Sequence, residues 1–376
     1  MKRQILSLAV VMAFLCPAVL QASIAYKVID LGTLGGDWSE ALSINDASQI
    51  VGWSENSRRW MRATLFDPTG TANNVDLGTL GGYWSEALSI NEAGQIVGWA
   101  QRSDGQVCAI LFGPAGTGNN FELRTPRGDE SWAYSINNAG QIVGAADYIR
   151  EAWRPRATLF DPTGAGNNIG LASLGGDRSQ AYSINDAGQI VGWAQNSLGY
   201  DRATLFDPTG AGKNIDLGTL GGDYSVGGSI NNAGQIVGCA ENSRGYDRAT
   251  LFDPTGAGKN IDLGTLGGDD SAAGSINDAG KIVGYAKNSH GLYRATLFDP
   301  TGAGNNIDLN TLIDPASGWT LEYAYDINAS GWIVGQGVNP QGQLHGFLLV
   351  PEPATFALLG LGILLVRKHG KSLKLP

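Results

Sequence analysis

The decapeptide SINDASQIVG that starts at Ser43 comes back six times. It recurs as SINEAGQIVG at Ser89, SINNAGQIVG at Ser135, SINDAGQIVG at Ser183, SINNAGQIVG at Ser229, SINDAGKIVG at Ser275 and, more loosely, DINASGWIVG at Asp326. Successive starts lie 46, 46, 48, 46, 46 and 51 residues apart. Units of that length match propeller blades and are too long for the turns of a hexapeptide β-helix.

Each unit reads as four short strands. In the fourth, SQAYSIN (Ser179 to Asn185), QIVGWA (Gln189 to Ala194), RATLFDP (Arg202 to Pro208) and NIDLGTL (Asn214 to Leu220) are separated by DAG, a polar loop and TGAGK. The Asn-Asp-Ala-Gly turn supplies side-chain acceptors and a glycine free to take φ > 0; only Ser48 breaks that glycine pattern. Strands apolar on both faces imply sheets stacked against each other. A small residue recurs in every first strand, at Ala41, Ala87, Ala133, Ala181, Gly227, Ala273 and Ala324, as the crowded centre of a ring requires.

The ends indicate how the ring closes. The last unit stops after its third strand, LHGFLLV (Leu344 to Val350), and the chain carries an unpaired fourth strand, YKVIDLGTL (Tyr26 to Leu34), ahead of the first unit. Joined, they complete one blade and remove the open edges. The expected fold is all-β, a seven-bladed β-propeller of four-stranded antiparallel blades over residues 26–350, with the N-terminal strand closing the last blade. A β-solenoid or prism would leave that strand unexplained.

Residues 1–25 read as a secretory signal: Lys2 and Arg3 precede an apolar run, and Ala22, Ser23 and Ala25 follow it. Leu15 before Cys16 is too large for a lipoprotein signal. Of 25 basic and 35 acidic residues, six bases and one acid lie in this segment and the C-terminal tail, so the body carries 19 bases against 34 acids, a charge near −15. Such a body repels nucleic-acid phosphates and anionic headgroups. Cys108 and Cys239 are too few for a disulfide scaffold, and their unit positions place them nearly across the ring, unpaired.

The units resemble the bacterial extracellular HAF repeat through ATLFDPTG, DLGTLGG and SINDAGQIVG, with HGFLLV at His345 nearest the family's name-giving tripeptide. Arg62, Arg156, Arg202, Arg248 and Arg294 stand where that family often has histidine, and Cys108 does so in the second unit. The resemblance implies export and repeat architecture, not a reaction. The terminal stretch, residues 350–376, resembles the PEP-CTERM sorting signal: Val350, Pro351, Glu352 and Pro353 precede a 13-residue run, apolar except for Thr355, and then Arg367 and Lys368. As a helix that run reaches only about 20 Å against a hydrocarbon core of about 30 Å, and the flanking bases stay cytoplasmic. The resemblance implies an exosortase-type membrane protease as partner, transient residence in the inner membrane and release to the cell surface or extracellular matrix.

Three histidines and two mature cysteines do not assemble a zinc or histidine-dependent nucleophilic site. TGAGKN at Thr209 and Thr255 lacks the glycine spacing of a phosphate loop and puts Asn214 or Asn260 where Ser or Thr should sit. Turn chemistry accounts for the acidic residues of SINDAG without calcium. No catalytic, cofactor or metal residue is expected, and no enzyme activity. Binding is the expectation. Both length changes fall in loops at one end of a propeller, in Ala146 to Pro155 and Ile313 to Tyr323. The same loop set carries Trp38, Trp60, Trp84, Trp153, Tyr200, Tyr224, Tyr246 and Trp319 beside Asp37, Asp223 and Asp269. Rings with carboxylates suit sugars, although the same rings serve equally as blade packing. The functional expectation is a non-catalytic surface or matrix module with exopolysaccharide as candidate ligand, adhesive in biofilm. A glycosidase or lyase working through an acidic pair is the alternative.

Overall fold

Every decapeptide folds as a tight hairpin. In the computed structural model, Ile44 pairs with Ile50, and the amide of residue 48 donates to Asn45 O at 3.0 Å to close the turn. The fourth turn position is left-handed throughout, as at Gly94 (φ 74°), and Ser48 adopts the same conformation at φ 64°. The structure describes residues 26–113, 118–125, 130–147 and 154–352.

Among these residues 28 strands form seven four-stranded antiparallel sheets. Blade 1 is Gly35–Ile44, Ile50–Asn56, Met61–Phe66 and Val75–Asp76. Blade 7 is Thr320–Ile327, Ile333–Val338 and Leu344–Pro351, completed by the N-terminal strand Tyr26–Asp30. The first strand of each blade touches the first strands of both neighbours, and blade 7 returns to blade 1, so the ring is closed. The fold is the seven-bladed propeller that the repeats imply.

Two details differ from the strand boundaries read in the sequence. The fourth strand pairs over two residues in most blades, Ile215–Asp216 for example, rather than seven. After Leu217 donates its amide to Ala203 O, Gly218 turns the chain away at φ 80°. The first strand begins earlier instead, at Gly175 in blade 4, because the Gly-Gly pair lies flat against the second strand.

The small residues have the predicted place. Ala41, Ala87, Ala133 and Ala181 are wholly buried, each opposite the glycine of Ile-Val-Gly. A Cβ on Gly52 would lie 2.0 Å from Glu40 O, so the innermost strands approach too closely for any other residue. Seven apolar clusters fill the gaps between blades; one packs Val51, Ala63 and Leu77 of blade 1 on Ala87, Ile90, Ile96 and Phe112 of blade 2.

Polar side chains stitch neighbouring blades. Asn74 Nδ2 donates to Leu31 O at 2.7 Å, and Asn214 and Asn260 each do the same to the preceding blade, to Leu171 O and Leu217 O. That is the work of the asparagines in TGAGKN. Around the axis Asn45, Asn91, Asn137, Asn185, Asn231, Asn277 and Asn328 each donate a side-chain amide to the backbone oxygen of the next, and Asn328 returns to Asn45 at 3.2 Å. All seven are buried, so each bond lies in a low-dielectric setting where its loss would leave a side-chain N–H unpaired, the carbonyl keeping the turn amide as its donor.

Candidate functional site

The ring has two unlike ends. At one, the first-to-second strand turns surround a cavity of about 210 Å³ on the axis. Its rim is Asp46, Glu92, Asn138, Asp186, Asn232, Asp278 and Ala329, exposed above the asparagine ladder. These side chains already serve the turns: Glu92 accepts from the Asp46 amide at 3.0 Å, and Asp186 Oδ1 from the Asn138 amide at 2.9 Å. Among the described residues no three His, Cys, Asp or Glu side chains converge as metal ligands.

The other end is built from the fourth-to-first and second-to-third loops, which hydrogen-bond to one another through Leu34 N and Glu55 O. Here lie most of the aromatic residues singled out in the sequence. Trp38 is 52% exposed, Trp84 48%, Tyr200 42%, Tyr224 38% and Tyr246 38%, and Tyr83 joins them at 57%. Trp60 is half-buried, its ring 4.7 Å from Tyr83 with the Arg58 guanidinium 5.1 Å above it. Trp319 packs inward instead, at 6.3 Å from Phe347 and against the core beside the closing strand. Trp153 lies outside the described residues. Asp37 is paired with Arg59, while Asp223 and Asp269 are exposed. The loop insertion before blade 7 holds the short 3-10 helix Pro315–Ser317, and a second, Leu309–Leu312, leads into it.

Between the two ends the first strands of blades 1 and 2 carry a pair of acids that repeat reading does not pick out. The position just before the small residue holds Glu40, Glu86, Trp132, Gln180, Val226, Ala272 and Tyr323 in blades 1 to 7, each opposite a second-strand residue. Glu86 Oε2 accepts from Trp99 Nε1 at 2.7 Å, and Glu40 Oε1 from Gln336 Nε2 at 3.0 Å. Burial raises both carboxyls above the usual range, and the neighbouring Glu40 charge adds to the effect on Glu86, which is pushed up to about 7. The only sequence signal was variation itself: this place changes from blade to blade where its neighbours do not.

The sorting motif starts inside blade 7. Val350 pairs with Lys27 and Pro351 with Tyr26, and Glu352 follows exposed. Pro353, Arg367, Lys368 and the apolar run lie outside the described residues, as does the N-terminal signal. Among the described residues no helix is long and apolar enough to cross a membrane.

Residues 349–368 match the PEP-CTERM protein-sorting motif, which supports a C-terminal exosortase sorting signal and export through the inner membrane. No curated protein matches the chain. Among solved structures a gluconolactonase from Xanthomonas campestris is similar in fold, at 11% identity and a TM-score of 0.43, over 89% of this chain and 93% of that one. At that distance the likeness carries nothing about chemistry.

Proposed function

We propose that the chain is delivered by exosortase-type processing as a non-catalytic surface or extracellular-matrix module whose propeller binds polysaccharide. Residues 1–25 act as the secretory signal, and the tail after the Pro-Glu-Pro turn is the processing handle. The observation that carries the binding reading is the concentration of exposed Trp38, Tyr83, Trp84, Tyr200, Tyr224 and Tyr246 at one end of the ring, beside exposed carboxylates. Flat rings left this exposed can stack on the apolar face of a sugar while acids and amides meet its hydroxyls. A glycan array with a parallel turnover assay on the secreted protein tests it. Retention of exopolysaccharide without shortening, lost in the Trp38→Ala, Trp84→Ala, Tyr224→Ala triple variant, is the expected result. Mass spectrometry of the secreted chain should place its C-terminus near Pro351.

A polysaccharide-acting enzyme is the second reading, favoured by the Glu40 and Glu86 pair. Turnover that disappears in Glu86→Gln would put it first.

A further inference from the structure

We infer that the N-terminal strand is a latch on the sorting motif: Tyr26 and Lys27 hold Val350 and Pro351 inside blade 7, and in the folded body the exosortase-type protease reads the motif only while these two pairs are open. This rests on the processing reading above and adds a controlling step to it. The matched motif begins at Leu349, so its first three residues are the last three of the strand Leu344–Pro351.

These three residues are held unequally. Leu349 is wholly buried, with Ile333 on one side and Val28 on the other. Pairing with the second strand stops there, so in the ladder Val350 and Pro351 face Lys27 and Tyr26 alone. The Leu31 amide donates to Gly346 O at 3.0 Å. The alternation of an antiparallel ladder then makes Lys27 and Val350 a pair that exchanges both backbone hydrogen bonds, the last such pair of the seam. Tyr26 and Pro351 form the open pair beyond it, a place where the ladder asks no N–H of a proline. The Val350 side chain adds to the hold, packing on the cluster of Leu31, Ile44 and Phe66 between blades 7 and 1. Glu352 follows, exposed.

The N-terminal strand is the fixed side of the latch. Tyr26 is buried in the cluster that holds Leu309, Ile313 and Leu321, and it bridges to Ile313 as well. At the other end of the strand, Asp30 is tied to His345 and Asn339. The end of the third strand has no second neighbour in the sheet, so the motif is the part that peels away. An extended peptide is recognised through its main-chain hydrogen-bonding groups, and Lys27 already occupies those of Val350. Opening two pairs leaves the other three, Val28–Leu349, Ile29–Leu348 and Asp30–Phe347, in place. The event is therefore local, and the ring stays closed while the motif is read. No bond of the latch is covalent; the peptide bond cut is that of the processing step itself.

Pulse-chase of the full chain in the cells that make it, read by the change in size when the tail is lost, tests the latch. Cα atoms at a hydrogen-bonded antiparallel pair lie about 5.5 Å apart, within disulfide reach. In the double variant Lys27→Cys, Val350→Cys, chains joined by the disulfide should therefore lose the tail about tenfold or more slowly than Val350→Cys alone, because the readable fraction is removed. A reductant added during the chase should restore the rate. Lys27→Pro, which takes the donor from the last hydrogen-bonded pair, should speed the loss about fivefold, and it keeps the test open if the cysteine pair fails to fold. Asp30→Asn weakens the far end of the same strand and should leave the rate unchanged, which separates the latch from general loss of stability. Loss of the tail from disulfide-joined chains at the rate of Val350→Cys, or a Lys27→Pro rate no faster than that of Asp30→Asn, would overturn the latch and leave the processing reading standing. A tail kept by the parent and by every variant would overturn the processing reading, and the latch with it.

Discussion

Asp30 and His345 are 315 residues apart and meet at 2.8 Å across the seam of blade 7, in the places that Asp76 and Arg62 hold within blade 1. The same pairing of third and fourth strands recurs as Arg202 with Asp216 and Arg248 with Asp262. The seam is therefore an ordinary blade whose outer strand arrives from the opposite end of the chain. His345 stands where Arg62, Arg202 and Arg248 stand in their blades, and its partner is structural.

Contacts to His345, Asn339 and the Gly32 amide outweigh desolvation and hold the Asp30 carboxyl below the usual carboxylate range. A depressed carboxylate stabilises the fold above its unfolded pKa and loses that contribution as pH falls through the folded value. Asp30→Asn should therefore cost about 1 kcal/mol at pH 7, a small figure because the carboxylate is partly solvated. The gap between parent and variant should close below pH 4. Chemical denaturation at pH 7 and pH 3 measures it, and a gap that widens on acidification contradicts the assignment.

Glu86 gives the opposite sign. Its pKa is raised in the folded chain, so the folded state holds a proton that the unfolded chain has released, and stability falls as pH rises from about 4.5 to about 7. Glu86→Gln should melt above the parent at pH 8 and level with it at pH 4. Thermal scans across that range, without added ligand, read the crossover.

Ser48 is the one hairpin turn residue of its kind held left-handed without being glycine. Ser48→Gly should stabilise the ring by about 0.5–1 kcal/mol, since a Cβ in that conformation costs roughly that much. Urea denaturation at unchanged m-value checks it; a loss of stability would mean that the serine side chain makes up for the strain.

Cys108 and Cys239 are free. They belong to blades 2 and 5, and Cys239 fills the second-strand position that Trp53, Trp99 and Trp193 occupy elsewhere. Burial pushes both thiols up to about 12. Neither should react with Ellman's reagent at pH 8 until denaturant is added, and non-reducing peptide mapping should find no bond between them.

The blade count, the four-strand plan and the seam were legible because each depends on pattern within one unit. Residues that mattered in the same way seven times, such as Ala41 and Gly52, announced themselves. The fourth strand was overread because Asp216, which looks like strand, instead accepts the Gly218 amide at 2.8 Å and begins a turn. Trp319 belongs to the loop set of the candidate binding face but packs inward, because spacing assigns a residue to a loop and not to a side of it. Glu40 and Glu86 were illegible for a different reason: they become neighbours only when seven strands close on one axis.

The pairing of Tyr26 with Pro351 also has a mechanical side. Chain enters and leaves the body at the same point, and the two strands run antiparallel from there through five residue pairs. Tension between the two ends would fall on that first pair alone and open the rest in turn, as a zip opens, instead of loading all five together. A body held by both ends in one membrane would be pulled along its weakest line, and severing the tail just past Pro351 would take the force away without disturbing a single blade.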